Sequence, residues 1–534
     1  MTAIWKNGGA DALNARTTFP VLQGSIEVDD VIIGAGITGL ITALKLIDAG
    51  RRVAVVEAHS VAGSSTGNST GNLYAPPSIG LAKIEKKWST DEVCALVEMR
   101  QQGVNDIADI IARFSIDCDF QPVPLHWCAA AGDQTAIDQV EAEHRISTRA
   151  GLDAHLHQRL PELPMSLGRV LTIENQAQFN PYRFCAGLAT ALQELGTQIF
   201  EHSQVMDIDA DNHRIKTTQG EVRAANIIQA THTPKGIHLL HAEMQVFREY
   251  GCASTFNQAS VDQESVDQES VPNGIYWMLS DSQSIRSHVT NGETYLIAVG
   301  GKHKTGKGEP EAHYFKQVQD YLSTHFGTKQ TAYRWSAQQY KSADLLPYIG
   351  RGGHDHVFVA TGFAADGLVW GVVAAQIITQ QILAQTHPGV PLFDPRRFTP
   401  AKSLKNWVKE SSTVAQELFK GYLTPAVRAQ LDEIKPGQAR LLKVDGQELA
   451  VYHSPEKGLL AVSSICPHMK CRVAWNAEAV SWDCPCHGSR FNFSGEVLDG
   501  PAVEPLEKVS LSSLTDEAVE KKVDSSHMEN DEYQ

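Results

Sequence analysis

The hydrophobic and polar positions divide the chain into stretches of different texture. Residues 1–28 lack periodicity and read as an N-terminal arm. The run Asp30-Val-Ile-Ile-Gly34 has the continuous apolar character of a strand buried on both faces. Ile37, Leu40, Ile41, Leu44 and Ile47 then recur at helical spacing up to Gly50, and Arg52 to Val56 forms a second strand ending at Glu57. A second strand–helix pair is predicted at Val357 to Ala360 and Gly367 to Leu383, and residues 29–392 are taken as one unit. Residues 393–430 carry Pro395 and Pro400 and then Leu404, Trp407, Val408, Val414 and Leu418 on one face, which predicts a connecting helix. From 431 to 514 the texture changes to short strands separated by turn signals such as Lys-Pro-Gly437, Phe-Ser-Gly495 and Asp-Gly500, so a small all-β domain is expected. The last 20 residues hold seven carboxylates against two lysines, and 515–534 is expected to be a disordered acidic tail. A tandem VDQES at 261–270 reads as a duplicated surface loop.

Composition narrows the function classes. The chain has 534 residues, 42 % of them hydrophobic, and a formal net charge of −16, which argues against nucleic acid as a main partner. Gly367 to Ile378, its longest apolar stretch, is far short of the roughly 20 residues of a membrane span. No apolar segment of a secretory signal precedes Arg16, so the expected location is cytoplasmic. Cysteine usage is uneven. Of nine cysteines, five are scattered up to Cys252 and four lie between Cys466 and Cys486 among histidines, the pattern of a metal site.

Two constellations carry chemistry. Gly34-Ala35-Gly36-Ile37-Thr38-Gly39 follows a strand and opens a helix, with Glu57 ending the next strand. Gly34 permits the tight turn, Gly36 lets the backbone approach a pyrophosphate at the helix N-terminus, and Gly39 allows close packing of helix on strand. Glu57 can accept hydrogen bonds from a ribose. The fingerprint alone does not choose between NAD and FAD. The choice comes from Ile227-Ile-Gln-Ala-Thr231, Asp344-Leu-Leu-Pro347-Tyr-Ile-Gly350 and Val359-Ala-Thr-Gly362-Phe-Ala-Ala-Asp-Gly367. With these, the sequence resembles FAD-dependent oxidoreductases of the D-amino-acid oxidase and glycine oxidase type. The resemblance implies a Rossmann-like α/β FAD-binding domain with an interleaved α+β substrate domain. It also implies that Gly362 and Gly367 meet the flavin, that Val205 touches adenine through its backbone, and that Ser65 and Thr66 contact ribityl and pyrophosphate. For Val205, Ser65 and Thr66 a core residue and a polar loop are equally good readings.

The second constellation is Cys466-Pro-His468, then fifteen residues, then Cys484-Pro-Cys486-His487. Two cysteines and two histidines can hold zinc. The spacing and the flanking Trp482 to Phe491 and Gly495 to Ala502 instead resemble the Rieske domain, where two thiolates hold one iron of a [2Fe-2S] cluster and two imidazoles the other. That resemblance implies a disulfide between Cys471 and Cys486, and a Ser489 hydroxyl donating to a cluster sulfur. Phe491 stands where respiratory relatives often carry tyrosine, which implies a lower potential, and Lys470 stands where they often carry glycine.

Together the two sites resemble a bacterial group of FAD oxidoreductases with a C-terminal Rieske domain. The resemblance implies oxidation of a small molecule, an amine or amino acid, with electrons leaving singly to an external carrier. Arg286 is the candidate clamp for a substrate carboxylate, with a surface ion pair as the alternative; His232 and His303 read better as structural. The rivals are a reductase feeding an oxygenase, which needs a second nicotinamide fingerprint, a Rieske oxygenase, and a redox module without substrate.

Overall fold

The structure, a computed structural model, describes residues 2–6, 17–236, 238–256, 272–397, 431, 433–444 and 447–511. The VDQES repeat, most of the connecting helix and the acidic tail lie outside the described residues. The chain divides into two compact units: residues 1–234, 239–303 and 312–405, and residues 235–238, 304–311 and 406–534.

In chain order the first unit runs through β1 (Gly24–Ile33), α1 (Ile37–Asp48), β2 (Val53–Val56), α2 (Thr90–Phe114), β3 (Gly220–Gln229), β4 (Met244–Thr255), β5 (Gln283–Thr290), β6 (Glu293–Lys304), β7 (Thr331–Ser342), β8 (Tyr348–Arg351), β9 (Val357–Thr361) and α3 (Gly367–Ile382), with shorter elements between. An eight-stranded sheet has the order β8-β9-β3-β1-β2 and then Gln198–Phe200, with Val205–Asp209 and Arg214–Thr217 attached beside β3. Its central pairs are parallel, with Ile33 opposite Gln229 and Val56. Each residue of β2 and β9 is buried, as both-face coverage of a parallel sheet requires. On this sheet α1 packs against α3 so closely that a Cβ on Gly371 would lie 2.7 Å from Thr38 Oγ1. The first strand starts at Gly24, earlier than the apolar run alone indicates. The arm before it is partly anchored: Phe19 and Leu22 are buried, and Trp5 Nε1 donates to the Ser69 carbonyl at 2.7 Å.

The second sheet has nine strands, in the order β7-β4-β6-β5, Ile275–Met278, Gln121–Ala130, Leu167–Gln178, Asn72–Leu73, with Ala154–His157 beside Leu167–Gln178. In the antiparallel pair β4–β7, Gln245 lies opposite Lys341, Phe247 opposite Gln339, Glu249 opposite Ala337 and Gly251 opposite Trp335. Gly251 leaves room for the indole, since a Cβ there would sit 2.5 Å from it.

Two histidines are buried in this sheet. His126 bonds Thr172 Oγ1 at 2.9 Å, and His288 stands edge-on to Trp5. Burial pushes His126 down to about 4 and, with help from the Arg286 charge, His288 down to about 3. Each imidazole is therefore neutral in the fold and binds a proton more readily when unfolded. Stability from them is present above the unfolded value near 6.5 and is lost as pH falls toward 4. The expected slope approaches about 1.4 kcal/mol per pH unit for each group. Acid unfolding followed between pH 6.5 and 4 in wild type and His288→Phe checks this; the same midpoint pH in both proteins contradicts it.

The second unit contains β10 (Ala439–Val444), β11 (Gln447–Ser454), β12 (Gly458–Ser463), β13 (Ala474–Asn476), β14 (Ser481–Asp483), β15 (Arg490–Asn492), β16 (Val497–Asp499) and β17 (Lys508–Val509). They form two antiparallel four-stranded sheets, β10-β11-β12-β17 and β13-β14-β15-β16. Trp482 and Phe491 face each other across β14 and β15 and fill the core with Tyr452 and Leu506. The two short segments from earlier in the chain belong to this unit by contact: Gly236 N donates to Pro501 O at 2.9 Å, and Asn476 Nδ2 to Glu311 Oε1 at 2.9 Å. Among the described residues no helix is long and apolar enough to cross a membrane.

Candidate functional site

The Gly34–Gly39 turn is built as its glycines require. Gly34 has φ +108°, and a Cβ on it would lie 2.5 Å from the Ala230 carbonyl oxygen; one on Gly39 would lie 1.9 Å from Gly34 O. The N-cap of α1 is Gly36, which has no side chain to cap the helix, so its first N–H groups are left to partners outside the helix. Thr66 Oγ1 accepts from Ile37 N at 3.2 Å, which brings the Ser65–Thr66 loop to this helix end. Ala35 and Thr38 are buried, Ala35 N donating to Glu57 Oε2 at 2.8 Å and His59 N to Oε1 at 2.9 Å. Those bonds orient Glu57 and leave a carboxylate further lone pairs for a ribose. Ser203 N donates to the Glu57 carbonyl, and Val205 begins the next strand as a buried residue.

A second edge of the site comes from β3, β9 and α3. Gly362 has φ +78°, a Cβ on Gly367 would meet no atom nearer than Phe363 Cδ2 at 3.9 Å, and α3 too lacks a side-chain cap. His232 bonds Ser65 Oγ at 3.0 Å, accepts from Thr361 Oγ1 through its carbonyl, and meets the Tyr340 ring edge-on. Two uncapped helix N-termini, bare glycine backbone and an oriented carboxylate fit a dinucleotide carrying a flavin.

Sequence reasoning missed a buried network next to Gly367. Asp366 accepts from Ser78 N and Oγ at 2.9–3.1 Å and from the Tyr74 hydroxyl, whose ionisation is pushed well up by burial and that carboxylate. Arg100 is fully buried, donates to the carbonyls of Ala75 and Tyr74, and lies over the Trp370 ring. A signal existed, since Arg100 interrupts the apolar stripe Leu96, Val97, Gly103, Val104 of α2.

Arg286 is 1 % exposed, so the surface ion pair does not hold. Its Nη1 donates to the carbonyls of Thr70 at 2.9 Å and Gly71 at 3.0 Å, and Trp5 lies against the guanidinium. Burial lowers it to about 9. This geometry fastens the Gly63–Asn72 loop. His303 is bonded to the Tyr250 hydroxyl at 2.8 Å and stacks on Tyr314.

In the second unit the Cys466 and Cys484 thiols are buried and hydrogen-bonded to each other, and the His468 and His487 rings stand 5.1 Å apart. Two sulfurs together and two imidazoles together are the donor set of a [2Fe-2S] cluster with unlike irons. Cys471 and Cys486 are joined by a disulfide that ties the two loops. Ser489 is buried, donates to the Cys466 sulfur and accepts from Ala502 N. Lys470 has φ +58°, the left-handed region that glycine occupies without strain.

Phe491 is fully buried. Phe491→Tyr should raise the cluster potential, because an added donor to sulfur stabilises the reduced state. A tenfold shift of a one-electron equilibrium corresponds to about 60 mV. Equilibrium redox titration tests it, and an unchanged or lower potential in the variant defeats the argument.

Comparison with known proteins agrees with this geometry. The family described as FAD dependent oxidoreductase matches residues 29–381, and the Rieske [2Fe-2S] domain matches 424–510. The Bacillus subtilis (strain 168) protein YhfW, which carries a Rieske 2Fe-2S iron-sulfur designation, is 30 % identical over 502 residues, covering 92 % of this chain and 96 % of its own. Gamma-glutamylputrescine oxidoreductase of Escherichia coli (strain K12) is 30 % identical over 227 residues, 41 % of this chain and 53 % of its own. In fold, glycine oxidase from Geobacillus kaustophilus superposes with a TM-score of 0.55 at 16 % identity, over 70 % of this chain and 99 % of that one. The architecture is thus that of an FAD-binding oxidoreductase with a C-terminal Rieske domain. The chain belongs to the FAD dependent oxidoreductase family, with FAD and a [2Fe-2S] cluster as its cofactors.

Proposed function

We propose that the chain oxidises an amine or amino acid at the carbon bearing nitrogen and passes the electrons singly to an external carrier. When bound, FAD supplies a two-electron hydride acceptor and the cluster a one-electron relay. What carries the reading is one chain holding both donor sets, the glycine turn with two uncapped helix ends and the two-thiol, two-imidazole site. In this reading Gly34, Ala35, Gly36, Ile37, Thr38, Gly39, Glu57, Ser65, Thr66, Val205, Gly362 and Gly367 hold FAD. Cys466, His468, Cys484 and His487 hold the cluster, which the Cys471–Cys486 bridge clips in place. Arg286 is a positioning residue for the loop at Thr70 and Gly71.

The substrate class has support from the Escherichia coli relative, whose name specifies a substituted polyamine. Hydride loss from a neutral amine needs no strong protein base. An anaerobic screen of amines and amino acids, following flavin and cluster absorbance together, tests the proposal. Flavin bleaching by an amine, with cluster reduction lagging, is the expected result. Indifference to every amine with bleaching by NADPH overturns it in favour of the reductase.

A further inference from the structure

The loop from Gly63 to Asn72 is held by its carbonyl groups from distant parts of the first unit. Four consecutive carbonyls accept side-chain donors. Asn68 O accepts from Trp335 Nε1 at 2.9 Å and Ser69 O from Trp5 Nε1 at 2.7 Å. Thr70 O and Gly71 O accept from Arg286 Nη1 at 2.9 and 3.0 Å. At the start of the loop Lys6 Nζ donates to Gly63 O at 2.8 Å, and also to Asn68 Oδ1 at 2.9 Å. The residues that bring Trp5 and Lys6 here are seated on the nine-stranded sheet. Thr2 forms an isolated bridge with Arg334 of β7, and Ala3, Ile4 and Trp5 are buried among Ala253, Ile297 and Trp335.

We infer that Trp5 and Lys6 are positioning residues for FAD: the strap Thr2–Lys6 sets the loop for the cofactor, and the Lys6 ammonium supplies part of the positive charge its pyrophosphate needs. The inference rests on the assignment of Ser65 and Thr66 to the FAD site. Three physical points support it. The hydroxyls of the tied loop meet the other cofactor elements, Ser65 Oγ lying 3.0 Å from His232 Nδ1 and Thr66 Oγ1 accepting from Ile37 N at the start of α1. A loop fixed before its ligand arrives gives up less freedom on binding. Lys6 is half-buried, burial lowers its basicity, and among the described residues its ammonium meets no carboxylate. A partly dehydrated cation is costly until an anion stands near it. The lysine stem also lies close to that anion's place. A Cβ on Gly67 would be 3.0 Å from Lys6 Cε, one residue from Thr66 and its bond to the helix end where a pyrophosphate binds.

The test reads cofactor release and needs no turnover. The full-length holoenzyme is diluted, and freed FAD is followed by its fluorescence in wild type, Lys6→Gln, Lys6→Arg and Trp5→Phe. Gln keeps a donor without the charge, and Phe keeps the ring without the N–H. Release should be about tenfold or more faster in Lys6→Gln, several-fold faster in Trp5→Phe and close to wild type in Lys6→Arg. Thermal melts of the FAD-stripped full chains should coincide, because the strap acts on the cofactor and not on the fold. Wild-type release from Lys6→Gln or Trp5→Phe, or the same acceleration in Lys6→Arg as in Lys6→Gln, overturns the inference. So does a stripped Lys6→Gln chain that melts well below stripped wild type, which makes Lys6 a structural residue. Thr66→Val tests the loop assignment separately. If it releases FAD like wild type, the assignment fails; if it releases FAD faster while Lys6→Gln does not, only the strap fails.

Discussion

Gly39→Ala should purify with little or no FAD and melt at a lower temperature than wild type. The added Cβ would lie 1.9 Å from the Gly34 carbonyl oxygen and 3.2 Å from Ile32 Cγ2. Neither neighbour can swing aside as a flexible side chain would, because one is backbone and the other is a fully buried β-branched side chain of β1. Relief requires α1 to lift from β1, which takes Gly36 and the uncapped N–H groups away from the position a pyrophosphate needs. Overpacking of this kind costs about 1–3 kcal/mol or more, and here the strain falls on the binding turn itself. Gly353→Ala is the control, since no atom lies within 4 Å of its Cβ position. Flavin content from the absorbance ratio, together with thermal melts, decides the matter. A Gly39→Ala protein with full flavin content removes Gly39 from the packing argument.

The turn was legible because its chemistry is local: strand, glycine spacing and helix occupy consecutive residues, from Val31 to Leu44. The cluster ligands were legible for a similar reason, as Cys-x-His and Cys-x-x-His put each pair of donors within one loop. Features that depend on distant partners were not. Nothing in Ser-Ile-Arg286-Ser announces that the guanidinium binds carbonyls of residues 70 and 71. The arm seemed featureless because Trp5 and Lys6 find their partners some sixty residues away, Lys6 Nζ donating to Gly63 O at 2.8 Å. A contact reaching across an intervening strand was hidden differently. Gln339 is an ordinary strand residue until the pairing of β7 with β4, and of β4 with β6, brings it to Lys302.

Arg397 shows how far such a distant partner can matter, and its loss should be among the most destabilising single changes in the first unit. Asp344 is fully buried in the turn before β8, and Arg397 meets it with two bonds of 2.8 and 3.0 Å. The same guanidinium donates to the carbonyls of Leu346 and Pro347 and lies 4.0 Å over the Tyr348 ring. It thereby holds a turn in which Leu345 has φ +79°, a strained value for a branched side chain. Arg397→Met leaves the Asp344 carboxylate buried without its cation, a defect that costs about 3–5 kcal/mol. Because β8 pairs with β9, whose end leads into Gly362, flavin retention should weaken with stability. Replacing both partners, Asp344→Leu with Arg397→Met, removes the unpaired charge and should recover a large part of the loss. Urea titrations followed by flavin release compare the three proteins. If the single variant stays within about 1 kcal/mol of wild type, or the double variant is worse than the single, the ion pair does not hold the turn in the way its geometry indicates.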